Sequence, residues 1–113
     1  MEYKERFDQP WLLFGDGLML FGTGYIRMTR GKAPESLRLH EFTHYLRYIE
    51  VGPIKWYYEY LIVLPKVGYH VHPEELTAQN LGDVMAWEYL TQFTKTMGIE
   101  EYMEMKYYQH IDN

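Results

Sequence analysis

Apolar positions near the N-terminus occur in short segments that predict β-strands. Trp11–Phe14 and Leu18–Phe21 are apolar runs, and Tyr25–Arg30 alternates apolar side chains with more polar ones. Gly-Asp-Gly and Gly-Thr-Gly separate the three segments, and glycine pairs of this kind are typical of tight turns. The pattern predicts a small antiparallel β-meander, with Tyr25–Arg30 as a half-exposed strand at the edge of the sheet.

The apolar positions that follow have helical spacing. A helix is predicted over residues 35–50, after a proline and before a Gly-Pro pair. At 100° per residue, His40 and His44 share one side of this helix. Four apolar residues lie on roughly the opposite side: Leu39, Phe42, Leu46 and Ile49.

Three later segments favour helices. Residues 53–64 are apolar and aromatic on nearly all sides, and their length and initial proline favour a buried helix over a strand. Residues 73–97 form a long predicted helix, and residues 99–110 form a short amphipathic one. The predicted fold is therefore α+β, in a single domain that spans residues 1–113.

Composition and charge narrow the function classes. Hydrophobic residues make up 47% of the 113 residues and aromatic residues 18%, which is typical of a packed globular domain. The net charge is −5 and no two Lys or Arg residues are adjacent, so the electrostatic footprint of a nucleic-acid-binding protein is missing. The first residues are charged, and no apolar run approaches the ~20 residues of a membrane span. We expect a soluble, cytoplasmic protein with no nucleic-acid partner.

The chemistry is concentrated in an H-E-x-x-H motif, His40-Glu41-Phe42-Thr43-His44. On a helix, histidines four residues apart project from the same side and can bind one metal ion, with the glutamate beside them. Cysteine is absent, so a metal has to be held by histidine and carboxylate ligands. The motif predicts a zinc site with His40 and His44 as ligands and Glu41 as the general base that accepts a proton from water.

The third ligand has to come from another element, and Glu75 is the best candidate. Near the face that carries Glu75, the same predicted helix has a stripe of small residues that permits close approach to the H-E-x-x-H helix: Ala78, Gly82 and Ala86. Routine helix packing, with no metal between the helices, would use the same stripe. Gln79, one turn after Glu75, can support a ligand imidazole.

The order of a strand, an H-E-x-x-H helix and a later helix with Glu75-x-x-Ala78 resembles the gluzincin zinc peptidases. The short chain is most similar to the minigluzincins, minimal soluble relatives of the catalytic domains of certain integral-membrane peptidases. The likeness covers roughly residues 24–90. It implies a minimal zincin-like fold, with Zn²⁺ held by His40, His44 and Glu75 and with Glu41 as the base.

Two departures leave alternatives open. Many gluzincins have Asp where this chain has Gln79. Some minimal members are thought to use a histidine as third ligand, which keeps His72 as an alternative to Glu75, with His70 behind it. The group that stabilises the oxyanion also stays open among several side chains: His70, His72, Tyr102, Tyr107 and Tyr108.

The predicted activity is zinc-dependent hydrolysis of a peptide or protein substrate, laid in extended form along the strand of Tyr25, Ile26 and Arg27. The resemblance also implies a latent zymogen in which segment 98–113 covers the cleft, with His110 or a nearby tyrosine close to the metal. The same segment is a candidate for swapping and for homodimer formation. The alternatives are a non-enzymatic protein-binding domain with a structural or vestigial zinc site, and a protein without metal.

Overall fold

Three strands and four helices make up the described part of the chain. The computed structural model describes residues 2–12, 15–59, 73–91 and 97–112, apart from the side chains of residues 73 and 74. The strands are β1 (Lys4–Arg6), β2 (Gly17–Leu20) and β3 (Thr23–Ile26). The helices are α1 (Glu35–Val51), α2 (Pro53–Tyr58), α3 (Pro73–Thr91) and α4 (Ile99–Ile111). The predicted α+β class is confirmed. Within these ranges, no helix combines the length with the apolar character that crossing a bilayer requires.

The sheet differs from the predicted meander in its first strand and its order. The strand order is β1-β3-β2, with β3 parallel to β1 and antiparallel to β2. Trp11 and Leu12 lie outside any strand, and residues 13 and 14 fall outside the described residues. The first strand is instead the charged segment Lys4–Arg6, which has no apolar alternation to reveal it. The strand predicted over Tyr25–Arg30 is observed at Thr23–Ile26, and because it lies between two strands, the prediction of an edge strand is wrong.

Two of the four residues that β2 and β3 direct towards α1 are glycines. Strand alternation directs Gly17, Met19, Gly24 and Ile26 to this side. A Cβ at Gly17 would lie 2.7 Å from Oε2 of Glu41, and a Cβ at Gly24 would overlap the hydroxyl of Tyr3. The two glycines therefore let polar groups of the overlying layer reach the sheet backbone.

Helix α1 closely follows its predicted limits and orientation. Gly52 ends it with a φ of +86°, and its N–H donates to the carbonyl of Tyr48 at 2.9 Å. Glycine adopts this left-handed conformation without steric cost. The predicted apolar stripe is confirmed by the buried side chains of Leu39, Phe42 and Leu46.

Helix α3 packs along α1 through its small residues, as predicted. Ala78 and Ala86 are buried, and a Cβ at Gly82 would lie 3.0 Å from Cα of His40. The missing side chain at Gly82 thus sets the short distance between the two helices. The predicted continuations of α2 over 60–64 and of α3 over 92–96 lie outside the described residues.

Helix α4 contributes to the core. Three of its side chains are buried in the main apolar cluster: Ile99, Tyr102 and Met103. His110 lies 3.5 Å from Glu50 near the end of α1. Glu50 follows His44 by six residues, which corresponds to ~9 Å of helix rise. The described arrangement therefore places His110 away from the motif and not, as predicted, close to the metal.

Candidate metal centre

Two helices bring the predicted metal ligands together. α1 supplies His40 and His44 one turn apart, and their rings lie 4.8 Å apart at 85° to each other. The first turns of α3 supply Glu75, which is buried. Gly82 allows α3 to approach α1 closely enough for this carboxylate to reach both imidazoles. The helix pairing predicted from the small residues is the one observed.

The carboxylate of Glu75 bridges the two imidazoles. Its Oε2 lies 3.0 Å from Nε2 of His40, and its Oε1 lies 3.1 Å from Nε2 of His44. One ligand atom from each of the three residues lies within 4.8 Å of the others. Ligand atoms around a tetrahedral zinc with bonds of ~2.0–2.1 Å are roughly 3.4 Å apart. The nitrogen and oxygen donors therefore fit Zn²⁺ with small side-chain adjustments.

Trp56 of α2 and Thr43 of α1 hold the neighbourhood of His44 in place. The indole of Trp56 packs edge to face on the imidazole of His44, with ring centroids 5.5 Å apart. The hydroxyl of Thr43 donates to the carbonyl of Leu39 within α1 at 2.9 Å, so it is satisfied without entering the site. Trp56 was expected in the core from its aromatic segment, and its contact with His44 is an additional feature.

Glu41 is buried beside His40, His44 and Glu75, against the sheet. Its Oε2 lies 4.0 Å from Nε2 of His40, and the backbone of Gly17 provides the space for its carboxylate. Burial raises the pKa of Glu41 to about 7, although the nearby His44 and His40 lower it in part. A carboxyl group with this pKa can accept and release a proton near neutrality.

The pKa of His40 is also shifted. Burial lowers it, but the hydrogen bond with Glu75 and the negative charges of Glu41, Glu75 and Asp83 outweigh burial, so the net shift is upward. The acidic surroundings thus favour a positive charge at this point of the site. Asp83 was not recognised from the sequence, although it lies on α3 two turns after Glu75.

Bound protons or a divalent cation can balance the charges of the cluster. With neutral imidazoles, Glu41 and Glu75 contribute −1 each, which gives a sum of −2 for the four side chains. Buried charges of like sign are unfavourable unless they are compensated. A cation of charge +2 between the ligands brings the sum to zero. Without a metal, the raised pKa values of Glu41 and His40 favour bound protons, which a cation would displace.

The sequence also suggested Gln79, Tyr102, His70 and His72 for the site. Gln79 is exposed on α3, so it does not support a ligand imidazole in this arrangement. Tyr102 is buried, and its hydroxyl donates to Glu88 at 2.7 Å. His70 and His72, the alternative third ligand, lie outside the described residues.

The residues predicted to bind the substrate already bond to other parts of the chain: Tyr25 and Ile26 of β3, and Arg27 after it. The main chain of Tyr25 pairs with β1 on one side and with β2 on the other. The carbonyl of Ile26 accepts from Gln9, and the side chain of Ile26 is fully buried. The guanidinium of Arg27 donates to the carbonyls of Leu12 and Gly15. Arg27 thus secures the loop before β2, and an extended peptide has no free main-chain groups to pair with here.

The sheet edge nearest to the motif is β2, which the sequence did not single out. The N–H of Arg27 donates to the carbonyl of Asp16 at 2.9 Å. Because hydrogen-bonded and non-hydrogen-bonded pairs alternate in an antiparallel ladder, the main-chain groups of Gly17 and Met19 point away from β3. Gly17 also touches Glu41. The turn glycine of the sequence is therefore part of the site.

Comparisons with protein-family models, with curated proteins and with solved structures find no match to this chain. A proposal for the function therefore rests on the geometry of the His40, His44 and Glu75 cluster, with Glu41 beside it.

Proposed function

We propose that this chain is a zinc-dependent peptidase in which His40, His44 and Glu75 hold Zn²⁺ and Glu41 is the general base. The convergence of two imidazoles and one carboxylate within 4.8 Å is the observation that carries the proposal. The resemblance of the motif and its order to minigluzincins agrees with this assignment.

The residues divide into ligands and a proton carrier. Zn²⁺, when bound, polarises a carbonyl group and makes water a stronger nucleophile near neutral pH. Glu41 lies beside the ligands without bridging them, since Glu75 already contacts both imidazoles. Its carboxylate accepts a proton from the attacking water and passes it to the nitrogen of the leaving amine.

The proposed position of the substrate is along β2. Outward main-chain groups of Gly17 and Met19 can pair with an extended peptide by strand addition. The contact between Gly17 and Glu41 places one end of this edge beside the general base. This position replaces the one predicted on β3, whose main-chain groups are already paired.

The test compares zinc content and casein cleavage for the wild type and Glu41→Gln. We expect Glu41→Gln to retain zinc, because the three ligands are unchanged, and to lose ~100-fold or more of its cleavage rate, because the proton acceptor is removed. Glu50→Gln is the matched control, since it changes an exposed glutamate of the same helix. Glu75→Gln should lose zinc and activity together.

Different outcomes separate the alternatives. Equal cleavage by the wild type and Glu41→Gln would reject Glu41 as the base. Zinc bound without any cleavage would favour the structural or vestigial site. A wild type that binds no zinc when titrated with it would leave a metal-free cluster in which Glu75 joins the two histidines.

A further inference from the structure

The outer face of α3 is apolar although it is exposed. Five large side chains define this outer face, and each is between 44% and 69% exposed: Leu76, Leu81, Val84, Trp87 and Leu90. At 100° per residue they occupy about half of the helix circumference. The buried small residues Ala78, Gly82 and Ala86 occupy the other half. α3 thus buries its small face, and its large apolar face is exposed among the described residues.

The area of the outer face matches one half of a small protein interface. The five side chains expose on the order of 500 Å² of mostly apolar surface, which is at the upper end for a contiguous patch on a monomer. Two such faces bury at most about 1,000 Å² when they meet, which is the lower limit of specific interfaces. A second copy of the same face therefore supplies an area of the required size.

The charge of α3 argues against a lipid surface as the occupant. The helix Pro73–Thr91 contains no Lys, Arg or His, and it contains four acidic residues. Amphipathic helices that lie on membranes generally carry basic residues that attract anionic lipids. The chain as a whole has a net charge of −5, which adds to this repulsion. An apolar protein face is the better match.

The order of residues along α3 suits antiparallel pairing with itself. A two-fold axis near Val84 sets Leu76 of each copy opposite Leu90 of the other, and it brings the two Val84 side chains together. The C-terminal segment, which was the predicted dimer element, is less suitable. Its buried apolar side chains, Ile99, Tyr102 and Met103, already pack in the core of the same chain.

We propose that the outer face of α3 forms a homodimer by antiparallel pairing with the same helix of a second copy. The inner face of α3 carries Glu75. Pairing of the outer faces therefore holds in place the helix that supplies this carboxylate to the site. The proposal does not depend on zinc or on peptidase activity.

The test measures the mass of the full chain in solution by sedimentation at concentrations up to about 100 µM, a range that detects weak dimers. We expect the wild type to approach twice the chain mass of 13.7 kDa. Val84→Glu and Val84→Lys should each raise the dimer dissociation constant at least tenfold, roughly, because like charges meet at the axis. A mixture of the two variants should dimerise again, because opposite charges then meet.

Ile54→Glu is the control, since Ile54 on α2 is also apolar and, at 87%, is more exposed than Val84 at 59%. It should leave the dimer unchanged, and circular dichroism should show that all variants are folded. A wild type that stays at the mass of one chain would overturn the proposal, as would loss of the dimer in Ile54→Glu. Failure of the mixed variants to associate would reject the antiparallel arrangement. A monomeric wild type that Val84→Glu destabilises would indicate that another part of the same chain covers this face.

Discussion

Helix α1 carries two buried charged clusters within two turns, and they are neutralised in different ways. The first joins Arg38 to β1 and α4: its guanidinium donates to both carboxylate oxygens of Glu5, at 2.9 and 2.7 Å, and to Glu100 at 2.9 Å. Arg38 and Glu5 are both buried. Burial lowers the pKa of Arg38, but these hydrogen bonds and charges outweigh burial and raise it. The side chains of the protein itself therefore balance the charges of this cluster.

The second cluster consists of His40, Glu41, His44 and Glu75, without an Arg or a Lys. Two carboxylates and two imidazoles share a buried site, and the pKa of Glu41 rises to about 7. Both clusters are buried, so burial of charge alone does not mark a functional site. A cluster completed by Arg is typical of a structural ion pair, whereas one whose charge a divalent cation would balance is typical of a metal site.

The largest expected effect is on the structural cluster. Arg38→Met leaves the carboxylate of Glu5 buried without its bidentate partner, which should lower the free energy of unfolding by about 3–5 kcal/mol. Urea denaturation measures it. Arg30→Met is the control, because Arg30 pairs with Glu100 at the surface and should cost at most ~1 kcal/mol. Equal losses in the two variants would show that the Arg38 cluster does not stabilise the fold.

Zinc should have the next largest effect, and it should act only through the second cluster. At about 100 times its dissociation constant, zinc raises the free energy of unfolding by about 2.7 kcal/mol if it binds the folded state alone. Thermal denaturation with zinc and with a chelator measures the difference. Glu75→Gln should abolish it and Glu50→Gln should not. An undiminished effect in Glu75→Gln would place the zinc elsewhere.

The stability of the chelated protein and the stability gained from zinc should depend on pH with opposite signs. In the chelated protein, the folded-state pKa of Glu41 exceeds its ordinary value of 4.5, so stability is lost as pH rises from about 4.5 through 7. His40 acts in the same direction, because its pKa is also raised. We expect a loss of about 1–3 kcal/mol between pH 5 and pH 8.

The zinc-dependent part of the stability should grow over the same pH range, because metal ligands bind in their deprotonated forms. Denaturation at both pH values, with zinc and with a chelator, separates the two effects. Glu41→Gln should flatten the profile of the chelated protein. A profile that is unchanged by this substitution would contradict the assignment of the pH dependence to Glu41.

The smallest effect concerns the distance between α1 and α3. Gly82→Ala gains up to ~1 kcal/mol of helix propensity, but its Cβ meets the backbone of His40 at 3.0 Å, which should cost about 1–3 kcal/mol. We expect a small net loss of stability and weaker zinc binding, measured by calorimetric titration. Gly31→Ala is the control, since a Cβ there meets nothing within 4 Å. Unchanged zinc affinity in Gly82→Ala would show that the helices separate without disturbing the ligands.

Local spacing in the sequence is enough to predict the main features of helices α1 and α3. The limits of α1, its apolar stripe and the small-residue face of α3 depend on local spacing, and spacing at 3.6 residues per turn is visible in one chain. The sequence also identified His40, His44 and Glu75 as a group, because the motif fixes two of them and the small residues indicate which helix approaches.

The tertiary structure alone decided the sheet and the surroundings of the site. β1 is a charged segment that is held in the sheet by pairing with β3, and no local pattern predicts such pairing. The same pairing places β3 in the centre of the sheet, so the accessible edge near the site is β2. The side chain of Arg27 binds the loop before β2. Gly17 acquired its role from the carboxylate that packs on it. Contacts between residues far apart in sequence create these features, so the order of residues within each segment does not contain them.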